Sequence, residues 1–342
     1  MPAAISYEFE ERPVAGQTMR VADGMHWLRM PLPFSLGHIN LWMLEENQGW
    51  AIVDTGICTD MSKDVWRQAI ASVTKGKPVN HVVVTHLHPD HVGCAGWLTG
   101  EHDVDLWMTR EEYLLCRILV ADTGRPAPEE AINFYHAAGF SPDSMHNYQK
   151  MFGMFGKYVA PLPEAYRRLQ EGNVLKFAGH SWEVLVGRGH SLEHACFYDP
   201  DRNFFISGDQ LLPTISSNVS VYPTEPRANP LKDWLESLQM LKTRLPEDVL
   251  VFPAHGKPFR GAHGRLDALM QEHLDGLSAL HELCKEPRRA IDAFPALFKS
   301  RISNSNLVMA TGESLAHLNY LLEEGVLLAE TDSDKVTWYR RS

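Results

Sequence analysis

The chain of 342 residues is predicted to fold as a layered α/β domain followed by a small winged-helix-like unit. Three observations predict this. Strand-like and helix-like runs alternate between residues 27 and 108, and strand-like runs return between residues 174 and 252. Beyond Pro287, helix-like runs precede two short strand-like runs joined by a turn. Because alternating strands and helices pack in layers, we expect a sheet core with helices on its outer faces.

The N-terminal part is predicted to be rich in short strands. Residues 1–24 look like an irregular or edge lead-in, and strands are predicted at 27–30, 40–44 and 51–53. Asn47, Gln48 and Gly49 suit a hairpin between the last two strands. Residues 61–73 place apolar side chains at helical spacing, and Asp60 or Ser62 could cap this helix.

A metal-binding motif and a long insertion dominate the next part. A strand is predicted at 82–85, a helix from 91 to 98 and a strand at 104–108. Residues from about 110 to 170 then form an insertion of short helices rich in aromatic and methionine side chains, cut by prolines. Such side chains usually pack as core, although a lid or a wall of a substrate pocket is the alternative.

The remaining segments complete two domains, at 1–286 and 287–342. Strands are predicted at 174–177, 182–186, 195–198, 203–206 and 249–252. A loop at 211–229 and helices at 231–245 and 266–284 accompany them. In the C-terminal domain, helices are predicted at 291–298 and 312–324, with strands at 326–329 and 336–339.

Composition narrows the class of protein. With 44% hydrophobic and 22% charged residues the chain is typical of a globular protein, and its net charge of -11 disfavours a phosphate backbone as the main partner. No apolar run approaches the roughly 20 residues of a membrane-spanning helix, and no signal peptide is evident. Five scattered cysteines favour a reducing, cytoplasmic location.

Seven candidate metal ligands follow strand-like runs or glycines. His86, His88, Asp90 and His91 fall within six residues after an apolar run, and imidazole with carboxylate suits zinc. Downstream, His190, Asp209 and His255 each lie beside a glycine. One histidine alone is more often a core or surface residue, but this ordered set is hard to explain by coincidence. The other histidines receive no role, although His194 could contact a ligand.

The spacing suggests how two ions would be shared. His86 and His88 alternate along an extended segment, so both rings can face one ion that His190 completes. Asp90 and His91 would face a second ion with His255. Asp209 is the natural bridge, and two dications could share one hydroxide. We therefore expect Asp90 and Asp209 to be the catalytic carboxylates.

Two further positions lie near these ligands. Asp54, at a strand end, is predicted to orient a ligating imidazole. Cys58 and Cys94 are expected to be small buried side chains rather than ligands. The substrate-binding residues stay unassigned.

These motifs resemble those of the metallo-β-lactamase-fold hydrolase superfamily over roughly residues 20–260. The segments that carry the resemblance are Val53-Asp54-Thr55-Gly56, Thr85-His86-Leu87-His88-Pro89-Asp90-His91, Gly189-His190-Ser191, Gly208-Asp209 and Ala254-His255-Gly256. The resemblance implies an αββα four-layer sandwich with a dinuclear site at one sheet edge, held by the seven ligands assigned above.

Asp90, His91 and Asp209 are similar to the glyoxalase II branch and to the branch of β-lactamase-like protein 2, which carries a C-terminal winged-helix-like domain. Common zinc β-lactamases place Arg at His91 and Cys at Asp209, which disfavours antibiotic hydrolysis.

The sequence favours a hydrolase of a small acyl compound, a thioester, ester or lactone, that uses two divalent ions. Zinc is the expected metal, with iron or manganese possible. A phosphodiesterase or endoribonuclease and a non-enzymatic metal-containing binding protein are the alternatives. Nucleic acid is disfavoured because residues 312–324 contain three glutamates and no lysine or arginine. The C-terminal domain is expected to pack beside the site or in a homodimer, and the 211–229 loop is a candidate specificity element.

Overall fold

The computed structural model describes residues 5–33 and 36–342 of the chain. The strands are β1 (Ser6–Tyr7), β2 (Thr18–Ala22), β3 (Met25–Pro31), β4 (His38–Glu46), β5 (Gly49–Val53), β6 (Val79–Val83), β7 (Asp105–Met108), β8 (Arg167–Arg168), β9 (Val174–Phe177), β10 (His180–Gly187), β11 (His194–Asp199), β12 (Phe204–Gly208), β13 (Leu250–Pro253), β14 (Phe259–Arg260), β15 (Leu327–Thr331) and β16 (Thr337–Arg341). The first four residues of the predicted lead-in lie outside the described ranges.

Ten α-helices accompany these strands in the described ranges. They are α1 (Asp60–Thr74), α2 (Pro89–Val92), α3 (Ala95–His102), α4 (Arg110–Ala121), α5 (Glu129–Ala137), α6 (Pro142–Met151), α7 (Pro230–Arg244), α8 (Ala262–Leu283), α9 (Phe294–Leu297) and α10 (Leu307–Glu323). Single 3-10 turns occur at Phe155–Lys157 and Ala290–Ala293.

Two seven-stranded sheets form the centre of the molecule. One has the strand order β2-β3-β4-β5-β6-β7-β8 and the other β1-β14-β13-β12-β11-β10-β9. Large apolar side chains from both sheets fill the space between them, and the ring centroids of Trp42 and Phe252 lie 5.1 Å apart. Burial of such aromatic surface is a main source of folding free energy.

Helices cover the outer face of each sheet. Trp66 of α1 and Leu98 of α3 pack with the first sheet, whereas Trp234 of α7 and Leu266 of α8 pack with the second. The order helix, sheet, sheet, helix confirms the predicted αββα sandwich. Among the described residues, no helix is both long and apolar enough to cross a membrane.

The C-terminal residues form helices followed by the β15-β16 hairpin, and α10 packs on α7 and α8. The insertion forms a small core of its own around Tyr135 and Tyr148, to which Ile291 and Leu307 of the C-terminal part contribute. His136 Nε2 lies 2.7 Å from the carbonyl oxygen of Asp334. The insertion therefore packs as core. The domain boundary at Pro287 and the winged-helix character stay predictions.

Several local predictions were wrong. Helix α1 is capped by Thr59, whose side chain accepts from the backbone N–H of Ser62, rather than by Asp60 or Ser62. The helix predicted at 91–98 is two helices, α2 and α3, and the one predicted at 291–298 is a 3-10 turn followed by α9. Strand β14 was not predicted, and α10 begins five residues before the predicted start at Gly312.

Candidate metal centre

The predicted ligands lie where strands of both sheets end. Asp54 follows β5 and the His86–His91 segment follows β6, and these two strands are parallel neighbours. In the other sheet Asp209 follows β12 and His255 follows β13, which are also parallel neighbours. Since parallel strands present their carboxyl ends at the same edge, each sheet delivers its ligands to one rim. His190 joins them from the β10-β11 connection.

A three-histidine group consists of His86, His88 and His190 with Asp209. One ligand atom from each lies within 4.8 Å of the others. His86 Nε2 is 2.8 Å from His88 Nδ1, and His190 Nε2 is 3.5 Å from Asp209 Oδ2. The structure thus brings these four predicted ligands together at a spacing that suits a single ion.

A second group consists of Asp90, His91 and His255, again with ligand atoms within 4.8 Å. His255 Nε2 is 3.4 Å from Asp90 Oδ2. Asp209 reaches this group too, because its Oδ2 lies 3.4 Å from His91 Nε2 and its Oδ1 3.6 Å from His255 Nε2. Asp209 therefore occupies the position that a bridging carboxylate requires.

Several atoms that point into these groups lack ordinary hydrogen bonds. The Nε2 atoms of His91, His190 and His255 and the Oδ1 atom of Asp209 are buried and form no hydrogen bond with the described residues. Leaving a buried polar atom unsatisfied costs about 1–3 kcal/mol. A metal ion bound among them would remove this cost, so the residues fit the metal that the motif implies.

The opposite ring nitrogens of these three histidines do have partners. His190 Nδ1 is 2.8 Å from the carbonyl oxygen of Asn218, and His255 Nδ1 is 2.9 Å from that of His38. A carbonyl oxygen can only accept, so each Nδ1 carries a proton, and in the neutral form of each ring the lone pair is on Nε2. This is the tautomer that a ligating imidazole needs.

Asp54 supports the third histidine, His91. Its Oδ2 lies 2.8 Å from His91 Nδ1 and accepts at 2.8 Å from the Thr85 hydroxyl, while its Oδ1 accepts at 2.8 Å from the Thr85 backbone N–H. Asp54 has a φ of 60°, in the left-handed region where Asp and Asn are enriched. The carboxylate lies where the predicted orienting residue should be.

The charge states of His86, His88 and Asp209 suit cation binding. Burial, reinforced by neighbouring imidazoles, holds the pKa of His86 well below its usual value and lowers that of His88 to about 3. Both rings are therefore neutral, as ligands must be. Burial alone would raise the pKa of Asp209, but His91 and His255 outweigh it and hold that pKa well below the ordinary value. The carboxylate is ionised.

Glu112, which the sequence analysis missed, joins two ligand segments. Its buried carboxylate accepts from the backbone N–H of Leu87 at 2.9 Å and from that of Glu193 at 2.8 Å. Burial is the largest influence on Glu112 and raises its pKa. The sequence did contain a signal for this residue: Glu112 lies four residues before the apolar Cys116, so both side chains lie on the same helix face.

Replacing Glu112 with alanine should lower the free energy of unfolding by roughly 3 kcal/mol, because two buried N–H groups lose their acceptor. Urea denaturation monitored by circular dichroism measures the change. The matched control is Glu111→Ala, an exposed position on the same helix, which should change stability by less than about 0.5 kcal/mol. Equal losses in the two variants would contradict the assigned role.

His194 also contacts the centre. Its ring stacks on His86 with centroids 4.5 Å apart, and its Nε2 accepts from the backbone N–H of Asp209 at 3.1 Å. Gly208 permits this contact, since a Cβ atom there would lie 2.5 Å from His194 Cε1. His194 thus positions two ligand residues, one of the alternatives the sequence had left open.

Cys94 and a cluster at the β11-β12 turn do not contribute to the metal centre. Cys94 is buried and its thiol lies 3.4 Å from the carbonyl oxygen of Ile57, as expected of a small core residue. His180, Asp199 and Asp201 are close enough together to hold an ion, but Asp199 already accepts from Arg202 Nε at 2.6 Å. That carboxylate is used in closing the β11-β12 turn.

Comparison with known proteins decides the family. A family model described as the metallo-beta-lactamase superfamily matches residues 35–255. The chain belongs to the metallo-β-lactamase superfamily. A second model, described as a metallo-beta-lactamase-like C-terminal domain, matches residues 277–342.

Similar superfamily proteins cover most of the chain. A beta-lactamase domain protein from Burkholderia ambifaria has a crystal structure that is 38% identical, covers 99% of this chain and 97% of its own, and gives a TM-score of 0.89. A probable metallo-hydrolase from Bacillus subtilis is 22% identical, over 90% of this chain and 95% of its own. The similarity to these two proteins therefore extends well beyond the residues that the superfamily model matches.

Relatives with more specific names differ in the bond they cleave. An atrochrysone carboxyl ACP thioesterase from Aspergillus fumigatus is 22% identical, over 85% of this chain but only 56% of its own length. A linear primary-alkylsulfatase from a Pseudomonas species is 24% identical over 70% of this chain and 45% of its own. Membership of the superfamily therefore indicates a metal-dependent hydrolase, and the His/Asp groups are suitable for binding metal ions. The substrate has to be argued from the site.

Proposed function

We propose that this protein hydrolyses small acyl compounds, with a thioester, ester or lactone as the scissile group. Two divalent ions, with zinc expected and iron or manganese as alternatives, would be held by the three-histidine group and the second group, with Asp209 shared. The observation that carries the proposal is the set of buried Nε2 atoms without hydrogen bonds around an ionised Asp209.

Two ions bound there would lower the pKa of a shared water molecule to near 7 and polarise a carbonyl oxygen. Side chains of the protein position the ligands and transfer the proton. The Asp209 carboxylate reaches both groups, with Oδ2 near His190 and His91 and Oδ1 near His255. The Asp90 side chain is about 18% exposed, so solvent can reach it, and it can accept a proton from water and release it to the leaving group. His194 and Asp54 keep the ligand residues in place.

The surroundings of the centre favour an acyl substrate over a phosphodiester. Leu192 lies two residues beyond His190, Ile215 lies in the loop that contacts Asp209, and Met309 contacts Asn218, and all three side chains are at least 40% exposed. Glu313 and Glu193 lie beside the same segments. Apolar and acidic groups suit an acyl chain and repel a polyanion. The thioesterase among the relatives is consistent with this choice.

The proposal is tested with metal-depleted protein reconstituted with zinc, manganese or iron. The reconstituted protein is assayed on acyl thioesters, nitrophenyl esters, lactones, a bis-nitrophenyl phosphate and structured RNA. Metal-dependent hydrolysis of an acyl compound, with the phosphodiesters untouched, is the expected result. Cleavage of RNA or of the phosphodiester would replace the proposal with a nuclease, and binding of nucleic acid without any hydrolysis would favour a binding protein.

Specificity should increase with the length of the acyl chain. Each methylene that becomes buried contributes about 0.8 kcal/mol, so kcat/KM for a series from acetyl to octanoyl thioesters should rise up to about fourfold per methylene. Leu192→Ser, Ile215→Ser and Met309→Ser should each reduce the increase of kcat/KM with chain length, while leaving acetyl hydrolysis little changed. Val174→Ser, at a comparably exposed position on β9, is the matched control. An unchanged slope in all three variants would exclude these residues from the acyl site.

A further inference from the structure

We propose that helix α10 of the C-terminal domain positions the metal ligand His190, acting through Asn218, with Glu313 as the positioning residue. The inference rests on the proposed metal centre. It assigns the C-terminal domain an indirect part in metal binding, because the loop that orients His190 is held by side-chain and backbone contacts to one face of α10.

The first step of the linkage is the bond that sets the tautomer of His190. His190 Nδ1 donates to the carbonyl oxygen of Asn218 at 2.8 Å. The orientation of the ring, and with it the direction of Nε2, depends on where that carbonyl lies. Asn218 belongs to the 211–229 loop, which has no regular secondary structure. Something outside the loop must therefore keep the Asn218 peptide group in place.

The second step is the fixation of the Asn218 side chain. Its Nδ2 donates to Glu313 Oε2 at 2.7 Å and to the Met309 carbonyl oxygen at 3.4 Å, and its Oδ1 accepts from the Ser220 hydroxyl. Ser220 in turn contacts the Met309 carbonyl oxygen at 3.2 Å. With donors and acceptor all used, the amide has one orientation.

The third step is the close approach of the loop to the helix. The backbone N–H of Val221 donates to the Gly312 carbonyl oxygen at 3.0 Å. A Cβ atom on Gly312 would lie 2.7 Å from Ser220 Oγ and 2.9 Å from the Val221 carbonyl oxygen. Only glycine allows this approach without movement. Met309 and Glu313 are four residues apart and so lie on the same helix face.

Glu313 has an acceptor role that does not depend on its charge. Burial raises its pKa to about 7, with nearby Glu272 adding to the effect and Asn218 and His190 opposing it. Either protonation state offers an oxygen to Asn218 Nδ2. Glutamine would preserve this acceptor, whereas alanine would remove it. The two substitutions therefore separate loss of the hydrogen bond from loss of the carboxyl group.

The experiment measures zinc affinity, by competition with a chromophoric chelator, and the absorption spectrum of cobalt at the same centre. Loss of the residue that hydrogen-bonds a metal ligand typically lowers metal affinity 10- to 100-fold. Glu313 contacts the ligand His190 through Asn218, so we expect the lower end of this range. Glu313→Ala and Asn218→Ala should each weaken one of two sites about tenfold and leave the other unchanged. Glu313→Gln should retain affinity within about twofold. Gly312→Ala, which displaces the loop by another route, should weaken the same site.

The matched control is Asn319→Ala. Asn319 Nδ2 donates to the carbonyl oxygens of Pro226 at 3.2 Å and Ala228 at 2.9 Å, so it joins the same helix to the same loop away from His190. Its loss should reduce thermal stability without changing either zinc affinity. The Asn218→Ala/Glu313→Ala double variant should be no weaker than the worse single variant, because both changes break one linkage.

Wild-type affinity in Glu313→Ala, or an equal loss in Asn319→Ala, would overturn the inference. An outcome in which the zinc affinities follow the expected order but no acyl compound is hydrolysed would overturn the proposed function instead. Wild-type protein that binds fewer than two ions would remove the basis of both.

Discussion

Replacing Asp209 with asparagine should reduce the bound metal from two ions to one and lower acyl hydrolysis by at least about 10²-fold. Asp209 is the one carboxylate that reaches both groups, with oxygens 3.4–3.6 Å from His91, His190 and His255. Asparagine would keep one acceptor oxygen and turn an N–H₂ group toward an imidazole nitrogen. With one ion fewer, the attacking oxygen and the developing oxyanion would lose one of the two charges that stabilise them, and loss of one such stabilising group typically costs about 10²- to 10³-fold in rate.

Elemental analysis after reconstitution gives the metal content, and steady-state kinetics on the preferred thioester gives the rate. Asp201→Asn is the control, since Asp201 is exposed and belongs to the turn cluster with His180 and Asp199. That variant should keep two ions and its full rate. Two tightly bound ions in Asp209→Asn would show that the carboxylate does not bridge.

The fold was predictable because its signals are local and repeated. Alternating strand-like and helix-like runs indicated the layers, and each buried strand is short and rich in apolar or β-branched residues, as Val82 and Val83 of β6 illustrate. The short elements were harder. Strand β14 has two residues and exists because it pairs with β13 and β1, a contact that no local pattern encodes.

Helix boundaries failed for identifiable reasons. The break between α2 and α3 falls at Cys94, whose backbone N–H donates to the carbonyl oxygen of Gly56 at 3.0 Å. At the neighbouring Gly93, a Cβ atom would lie 2.5 Å from that same oxygen. This close packing against a distant segment is invisible in the sequence. The early start of α10 brings Leu307 and Val308 against the core of the insertion, a contact between distant segments that no local pattern encodes.

The candidate ligands could be found because four of them fall within six residues and each of the other three lies next to a glycine. The residues that hold these ligands in place could not be found from the sequence. Asn218 contacts His190, which is 28 residues away in the chain, and Glu112 contacts Leu87, which is 25 residues away. An asparagine in a loop and a glutamate in a first helical turn are also ordinary surface residues. The metal-binding roles themselves stay predictions until an ion is measured.

Replacing Asp54 with asparagine should remove the ion of the second group and leave that of the three-histidine group, with metal affinity there falling about 10- to 100-fold. The reason is the tautomer of His91. The Thr85 backbone N–H donates to Asp54 Oδ1 at 2.8 Å, and this fixed donor requires the amide oxygen of asparagine at that position. The amide N–H₂ group must then face His91 Nδ1, which is 2.8 Å from Asp54 Oδ2.

An N–H₂ group can only donate, so His91 Nδ1 would become the acceptor and the ring proton would move to Nε2. That nitrogen could no longer bind a cation, as in serine proteases whose triad aspartate is changed to asparagine and whose histidine adopts the wrong tautomer. Asparagine tolerates the left-handed φ of 60°, so the variant should fold. Asp103→Asn is the control, because Asp103 has a φ of 54° and is exposed at the end of α3.

Zinc titration and NMR of the imidazole nitrogens would follow the two sites separately. We expect one ion lost, a His91 spectrum with the proton on Nε2, and an unchanged control. Two ions bound at wild-type affinity in Asp54→Asn would mean that His91 is not a ligand. Loss of both ions would instead mean that the two groups bind cooperatively through Asp209, whose Oδ2 lies near both His91 and His190.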